Sequence, residues 1–151
     1  MAIQNATNVV IQVSTDGTEV NLQTLAHCTS ASLSLTRDLR DSTTKSSAAW
    51  SESLAGLKSW ELSGDGFVEL VDSITAYDPY DTASGTLMGY KKLYDLWAAG
   101  TEVYVKFGKD GAGNHYEGKG FISSLSADGG VEENATYSIS ITGSGTLSVG
   151  N

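Results

Sequence analysis

Apolar and polar residues alternate at period two along most of this chain, the mark of half-buried β-strands. Asn8 to Ser14 reads as a first strand, Asp16-Gly17 as a hairpin turn and Glu19 to Leu22 as the return strand. Ala26 to Arg37 is a long alternating segment with room for a register break near Thr29. Its apolar face carries Cys28, Ala31, Leu33 and Leu35, and its other face Ser30, Ser32, Ser34 and Thr36. Leu57 to Leu70 alternates again, with Trp60 and Leu62 opposite Glu61, Ser63 and Asp65. Gly64 and Gly66 interrupt it and mark a bulge or a close backbone approach. Glu102 to Phe107, Tyr116 to Leu125 and Ala135 to Thr142 complete the strands, the last two joined through Asp128-Gly129-Gly130. Tyr77 to Gly85, around the single proline Pro79, and Gly108 to His115 read as loops.

One segment, Thr86 to Ala99, has helical spacing. Tyr90, Leu93, Tyr94 and Trp97 form an apolar stripe, extended by Leu87, which is expected to be the core face of the helix. Lys91 and Asp95 fall on the outer face, and Gly100 is a natural stop. The pattern predicts one domain, residues 1–151, with a mainly β fold of about seven strands. It is an antiparallel β-sandwich or partly closed barrel with one packed α-helix and a long inter-strand arm.

The arm is residues 38–56. Asp38 to Ala49 is polar and aperiodic, and Trp50 and Leu54 follow before a turn at Gly56. A polar arm bearing a large aromatic adds little to its own core, so its receptor is expected outside the chain. Its polar residues bury too little to offset the entropy of ordering them, which predicts mobility before assembly.

Two strands offer complete rows of short hydroxyls: Ser30/Ser32/Ser34/Thr36 and Thr136/Ser138/Ser140/Thr142. Ser59/Glu61/Ser63/Asp65 adds a third row with carboxylates. A solvated sheet face can simply be polar. Exposed faces more often carry long Lys, Glu and Arg side chains, and short hydroxyls suit a wet, unobstructed surface such as a channel wall.

Charge and composition narrow the function. The net charge is −9 and the few basic residues are scattered, so the chain should repel nucleic acid rather than grip it. Repulsion is useful where DNA must pass without sticking. No apolar run approaches the ~18 residues of a membrane span, and the N-terminal segment lacks a secretory pattern. The single Cys28 permits no intrachain disulfide and fits a reducing compartment. His27 and Cys28, adjacent on a strand, point to opposite faces and do not readily share a metal. Asp78 and Asp81 flank Pro79-Tyr80 but depart from the calcium-loop pattern. Gly108 to Gly113 lacks the Lys-Ser/Thr ending of a phosphate loop. No catalytic, cofactor or metal constellation is expected, and so no enzyme.

The segment TTKSSAAWSESLAGLKSWELSGDGF, residues 43–67, resembles the signature of the major tail tube proteins of long non-contractile phage tails. Lys45, Trp50, Glu52, Leu54, Gly56, Leu57, Lys58, Ser59, Trp60 and the Ser63-Gly64-Asp65-Gly66 turn carry it. The helix ending in Trp97, the strand Val103 to Phe107 and the tail from Gly118 to Gly145 are similar to later parts of the pattern. Ala48-Ala49 stands where glycines are commoner in that family. Gene transfer agents and tail-like particles carry similar proteins.

The resemblance implies hexameric rings stacked into a tube, with the sheets of six subunits joined into an inner β-barrel and the helix outside it. Six copies of a −9 chain would carry −54. It implies a virion location, assembly in the host cytoplasm, and a tape measure protein, a tail terminator and distal tail proteins as partners. Double-stranded DNA would pass through the lumen without specific binding, and no membrane insertion is involved. Lys45, Trp50, Glu52, Leu54 and Leu57 become the inter-subunit arm. Ser30, Ser32, Ser34, Glu61, Ser63, Ser138 and Ser140 are expected to face the lumen. Leu33, Leu35, Trp60, Leu62, Ile139 and Ile141 are expected to pack inward. The alternative is a carbohydrate- or surface-binding β-sandwich decorating a virion, with Tyr77, Tyr80, Tyr104 and Tyr116 as stacking faces.

Overall fold

A computed structural model describes residues 9–19, 22–69, 73–77, 84–108 and 115–150. The expectations placed on Pro79 and its flanking aspartates, on Tyr80 and on the 109–114 turn lie outside these residues. Among the described residues, nine strands and one helix follow in chain order. They are β1 (Val10–Ser14), β2 (Leu22–Thr24), β3 (Cys28–Asp41), β4 (Ser53–Phe67), β5 (Ser73–Tyr77), β6 (Ser84–Met88), α1 (Tyr90–Ala99), β7 (Val103–Gly108), β8 (His115–Asp128) and β9 (Thr136–Gly150).

Seven strands form one antiparallel sheet in the order β2-β1-β7-β8-β9-β4-β3, and β5 pairs with β6 alone. The outermost strands of that sheet, β2 and β3, are joined by only Leu25, Ala26 and His27. Such a link spans roughly 13 Å at most, so the sheet must roll until its edges nearly meet. The core records the closure. The Ile11 Cδ1 lies 3.1 Å from where a Cβ on Gly64 would sit, although β1 and β4 are far apart in strand order. The fold is therefore a single antiparallel sheet folded over itself as a partly closed barrel. Long β8 and β9 run through both halves, with irregularities at Glu117/Lys119 and Ile122/Ser124 where β8 bends.

The core between the halves holds Ile11, Val13, Trp60, Leu62, Val103, Val105, Tyr137, Ile139 and Ile141. Gly66 is the close approach read from its sequence position: a Cβ there would lie 2.6 Å from the His27 carbonyl oxygen and 2.7 Å from the Tyr137 ring. The Tyr137 hydroxyl donates to the Ala26 carbonyl at 2.9 Å, tying β9 to the β2–β3 link.

The helix is shorter than the sequence stripe predicts. Leu87 is buried but belongs to β6, whose ladder with β5 continues to Met88, and α1 starts after Gly89 in an extended conformation. Gly100 ends it at φ 64°, its N–H donating to the carbonyls of Leu96 and Trp97. The helix packs against β8 and buries Leu93 and Leu96. Tyr90 packs at the core margin beside Tyr137, whereas Tyr94 and Trp97 stack on each other at 5.9 Å and stay about half exposed.

The arm also differs from its aperiodic pattern. The β3–β4 ladder runs on through Leu39↔Ala55, Arg40↔Leu54 and Asp41↔Ser53 after a register shift beyond Arg37. Residues 38–56 are thus the far half of a long hairpin, with only 42–52 forming its tip. Strand periodicity is hidden there because neither face meets a core, so nothing forces apolar residues to alternate. In amide exchange on the free subunit, residues 39–41 and 53–55 should be slower than 44–50. Uniformly fast exchange across the whole arm would contradict this hairpin.

Candidate functional site

The sheet register gathers the hydroxyl rows into one surface. Ser32 faces Ser63, Ser63 faces Ser140, and Ser140 faces Ser124, a line of four serines crossing β3, β4, β9 and β8. The neighbouring line is Ser30, Asp65, Ser138 and Ser126, and the next begins Ser34, Glu61, Thr142. Ser32 and Ser63 share a hydroxyl–hydroxyl bond. The Asp65 carboxylate accepts from Ser30 at 2.9 Å on one side and from Ser138 on the other. Side chains that bond to one another lie flat, so these two lines are polar and low in relief, while the third ends in Phe121, opposite Thr142 and 43% exposed. Ser30, Ser32, Ser34, Glu61 and Ser138 are exposed, and Ser63 and Ser140 are half-buried within the grid.

The opposite face of the same strands is apolar: Leu62, Ile139 and Ile141 are fully buried, Trp60 nearly so, and Leu33 packs on the core. Leu35 departs from the expectation that it packs inward. It is 63% exposed, because β3 and β4 extend past the layer that covers Leu33.

Sequence reading missed the fourth strand of the surface, Ser124 and Ser126 of β8. The irregularity between Ile122 and Ser124 shifts the alternation by one residue, so the row does not appear as period two. It also missed the two open edges. No strand among the described residues pairs with the outer side of β3. On β8 the pairing with β7 stops at Gly120, and no strand among the described residues pairs with Phe121–Asp128 on that side. The polar surface is therefore a four-stranded panel with an unpaired edge at each end.

The arm projects from this panel. Lys45, Trp50, Glu52, Leu54 and Leu57 are all exposed, Trp50 by 78% and Leu57 by 75%. Hydroxyls hold the tip in shape. Glu52 N–H donates to the Thr43 hydroxyl at 2.9 Å, and Thr44 N–H to the Ser47 hydroxyl at 3.0 Å. The Asp41 carboxyl accepts from Thr43, which holds it below the usual carboxylate range. Ala48 and Ala49 both take positive φ, 51° and 69°, where non-glycine residues cost roughly 1–2 kcal/mol each. Glycine there relieves that strain but adds freedom to the unfolded chain. Ala49→Gly should accordingly shift stability by less than about 1 kcal/mol in thermal unfolding.

Among the described residues no group of three or more His, Cys, Asp and Glu could hold a metal ion. His27 pairs with Glu69 at 3.2 Å at the surface, and buried His115 lies 3.3 Å from Glu117. Burial pushes the Cys28 thiol up. The described helix is not long and apolar enough to cross a membrane. Of the tyrosines of the sugar-binding alternative, Tyr104 and Tyr116 do not share a face: the β7–β8 register sets Tyr104 opposite Lys119 and Tyr116 opposite Phe107, on opposite sides of the sheet.

The folded chain is similar to subunits of tail assemblies. The tail of an empty gene transfer agent particle refined with C6 symmetry matches at TM-score 0.76 and 20% identity, over 99% of this chain and 100% of that one. The SPP1 tail tube matches at 0.67 and 14%, over 99% and 80%. The baseplate of an anti-feeding prophage matches at 0.58 and 9%, over 98% and 94%. A search of curated protein sequences finds no match. Those structural likenesses carry the fold. The family rests on a sequence profile, that of the phage tail tube protein, which matches residues 3–149, the span that contains the panel, both open edges and the arm: the chain belongs to the phage tail tube protein family.

Proposed function

We propose that this structural tail protein closes into hexameric rings that stack into a tube, with the β3-β4-β9-β8 panel as the wall of its lumen. The observation that carries this reading is the panel itself: lines of short hydroxyls with two carboxylates, bounded by two edges that no strand among the described residues pairs. Pairing β3 of one subunit with the Phe121–Asp128 edge of the next satisfies both edges, which a lone subunit would leave open to aggregation. A contact between two different surfaces either closes into a ring or propagates, and a tube of stacked rings uses both.

The lumen chemistry follows from the same residues. Glu61 and Asp65 place negative charge on the panel, so double-stranded DNA passing during ejection is repelled from the wall and does not stick. Short hydroxyls keep the wall hydrated. An extended tape measure protein would occupy the lumen during assembly in the host cytoplasm, and tail terminator and distal tail proteins would cap the finished tube in the virion. This role needs no catalytic group.

Cysteine labelling of assembled tubes tests the assignment of faces. In a Cys28→Ala background, Ser34→Cys and Ser140→Cys should react with a small thiol reagent diffusing along the lumen, while Ile139→Cys stays protected. Reaction at Ile139→Cys with protection at Ser34→Cys would overturn it.

A further inference from the structure

At the root of the arm, on the face opposite the hydroxyl panel, lies an open groove of about 690 Å³. Leu35, Trp60, Tyr116 and Val149 supply its apolar surface, and Arg37 and Lys58 stand on its rim. Leu35 and Val149 are each about 60% exposed, so the free subunit leaves apolar surface in water at a place the fold does not cover. Arg37 and Lys58 are directly opposite each other in the β3–β4 register, and neither makes an ion pair among the described residues. Two like charges in that position repel across the strands. The groove therefore asks for an apolar group accompanied by an anion.

The arm tip offers that pair: exposed Trp50 and, two residues on, the Glu52 carboxylate. A chain cannot fill its own groove. From Arg37 outward the two strands stay paired as far as Asp41↔Ser53, which carries the tip roughly 13 Å away from the rim. We infer that the groove receives Trp50 of a second copy of this chain, with that copy's Glu52 set between Arg37 and Lys58. The inference rests on the self-assembly proposed above and names the receptor of the arm. Because donor and receptor are different surfaces of one chain, each occupied subunit still presents a free tip, and the contact propagates.

Charge reversal and its compensation test this directly, read as tube yield by negative-stain microscopy beside the melting temperature of the unassembled subunit. Glu52→Arg alone, and Arg37→Glu with Lys58→Glu, should each cut tube yield more than tenfold with unchanged melting. The combination of all three should restore it. Tubes that ignore both sets of reversals, while the wild type also forms tubes, overturn the inference alone and leave the groove to another tail protein. Failure of the combined variant to recover, with its subunit folded, also overturns it. Absence of tubes from the wild-type protein overturns the assembly reading and this inference with it.

Discussion

Trp50→Ala is expected to give a folded, soluble subunit that no longer grows tubes. Trp50 is 78% exposed and lies beyond the hydrogen-bonded ladder of the arm. Removing its indole takes nothing from the subunit's core, so the melting temperature should move by no more than about 1–2 °C. In the proposed assembly that side chain would be buried, and a fully buried large apolar side chain contributes roughly 2–3 kcal/mol. That is a ~30- to 150-fold loss of affinity at each contact, repeated at every subunit of a growing tube. Tubes of normal length at wild-type concentration would show that the arm docks through other residues. A large loss of subunit stability would show that Trp50 packs on its own domain.

Trp60→Ala is expected to do the reverse and unfold the subunit before assembly is reached. Trp60 is 5% exposed, lies over Gly118 and Gly143, and donates its indole N–H to the Gly145 carbonyl at 3.2 Å. Truncating it leaves a cavity and an unpaired acceptor, a loss of about 3–5 kcal/mol. For a domain of this size that lowers the melting temperature by roughly 6–20 °C. Gly143→Ala should act through the same contact, since a Cβ at Gly143 would fall inside the Trp60 ring. Overpacking of that kind costs about 1–3 kcal/mol. Calorimetry of both variants checks this, and a melting temperature unchanged in both would mean that the indole is not part of the core. Two tryptophans ten residues apart on one segment are thus expected to separate assembly from folding.

These contrasts show what the sequence makes legible. Where one sheet face meets the core, alternation reports it faithfully: Trp60, Leu62, Ile139 and Ile141 are buried, and Ser30, Ser32 and Glu61 are not. Where no core is met, alternation lapses, and the outer half of β3 and the start of β4 look like a loop. Where a strand shifts register, alternation misleads, and Ser124 and Ser126 of β8 are lost from the panel. Leu35 continues a correct pattern past the point where anything covers it. The helical stripe drifts for a related reason. A ten-residue helix docked on β8 buries a narrow line through Leu93 and Leu96, and the aromatic Tyr94 and Trp97 beside it stay half in solvent. The open edges of β3 and β8 follow from strand order, which local sequence does not encode.

Cryo-electron microscopy of the purified protein after concentration tests the central claim most directly. The account predicts six-fold tubes in which β3 of each subunit pairs with Phe121–Asp128 of its neighbour and Ser32, Ser63, Ser140 and Ser124 line the lumen. Tubes built with Leu62, Ile139 and Ile141 toward the lumen, or a protein that stays monomeric at every concentration, would contradict it.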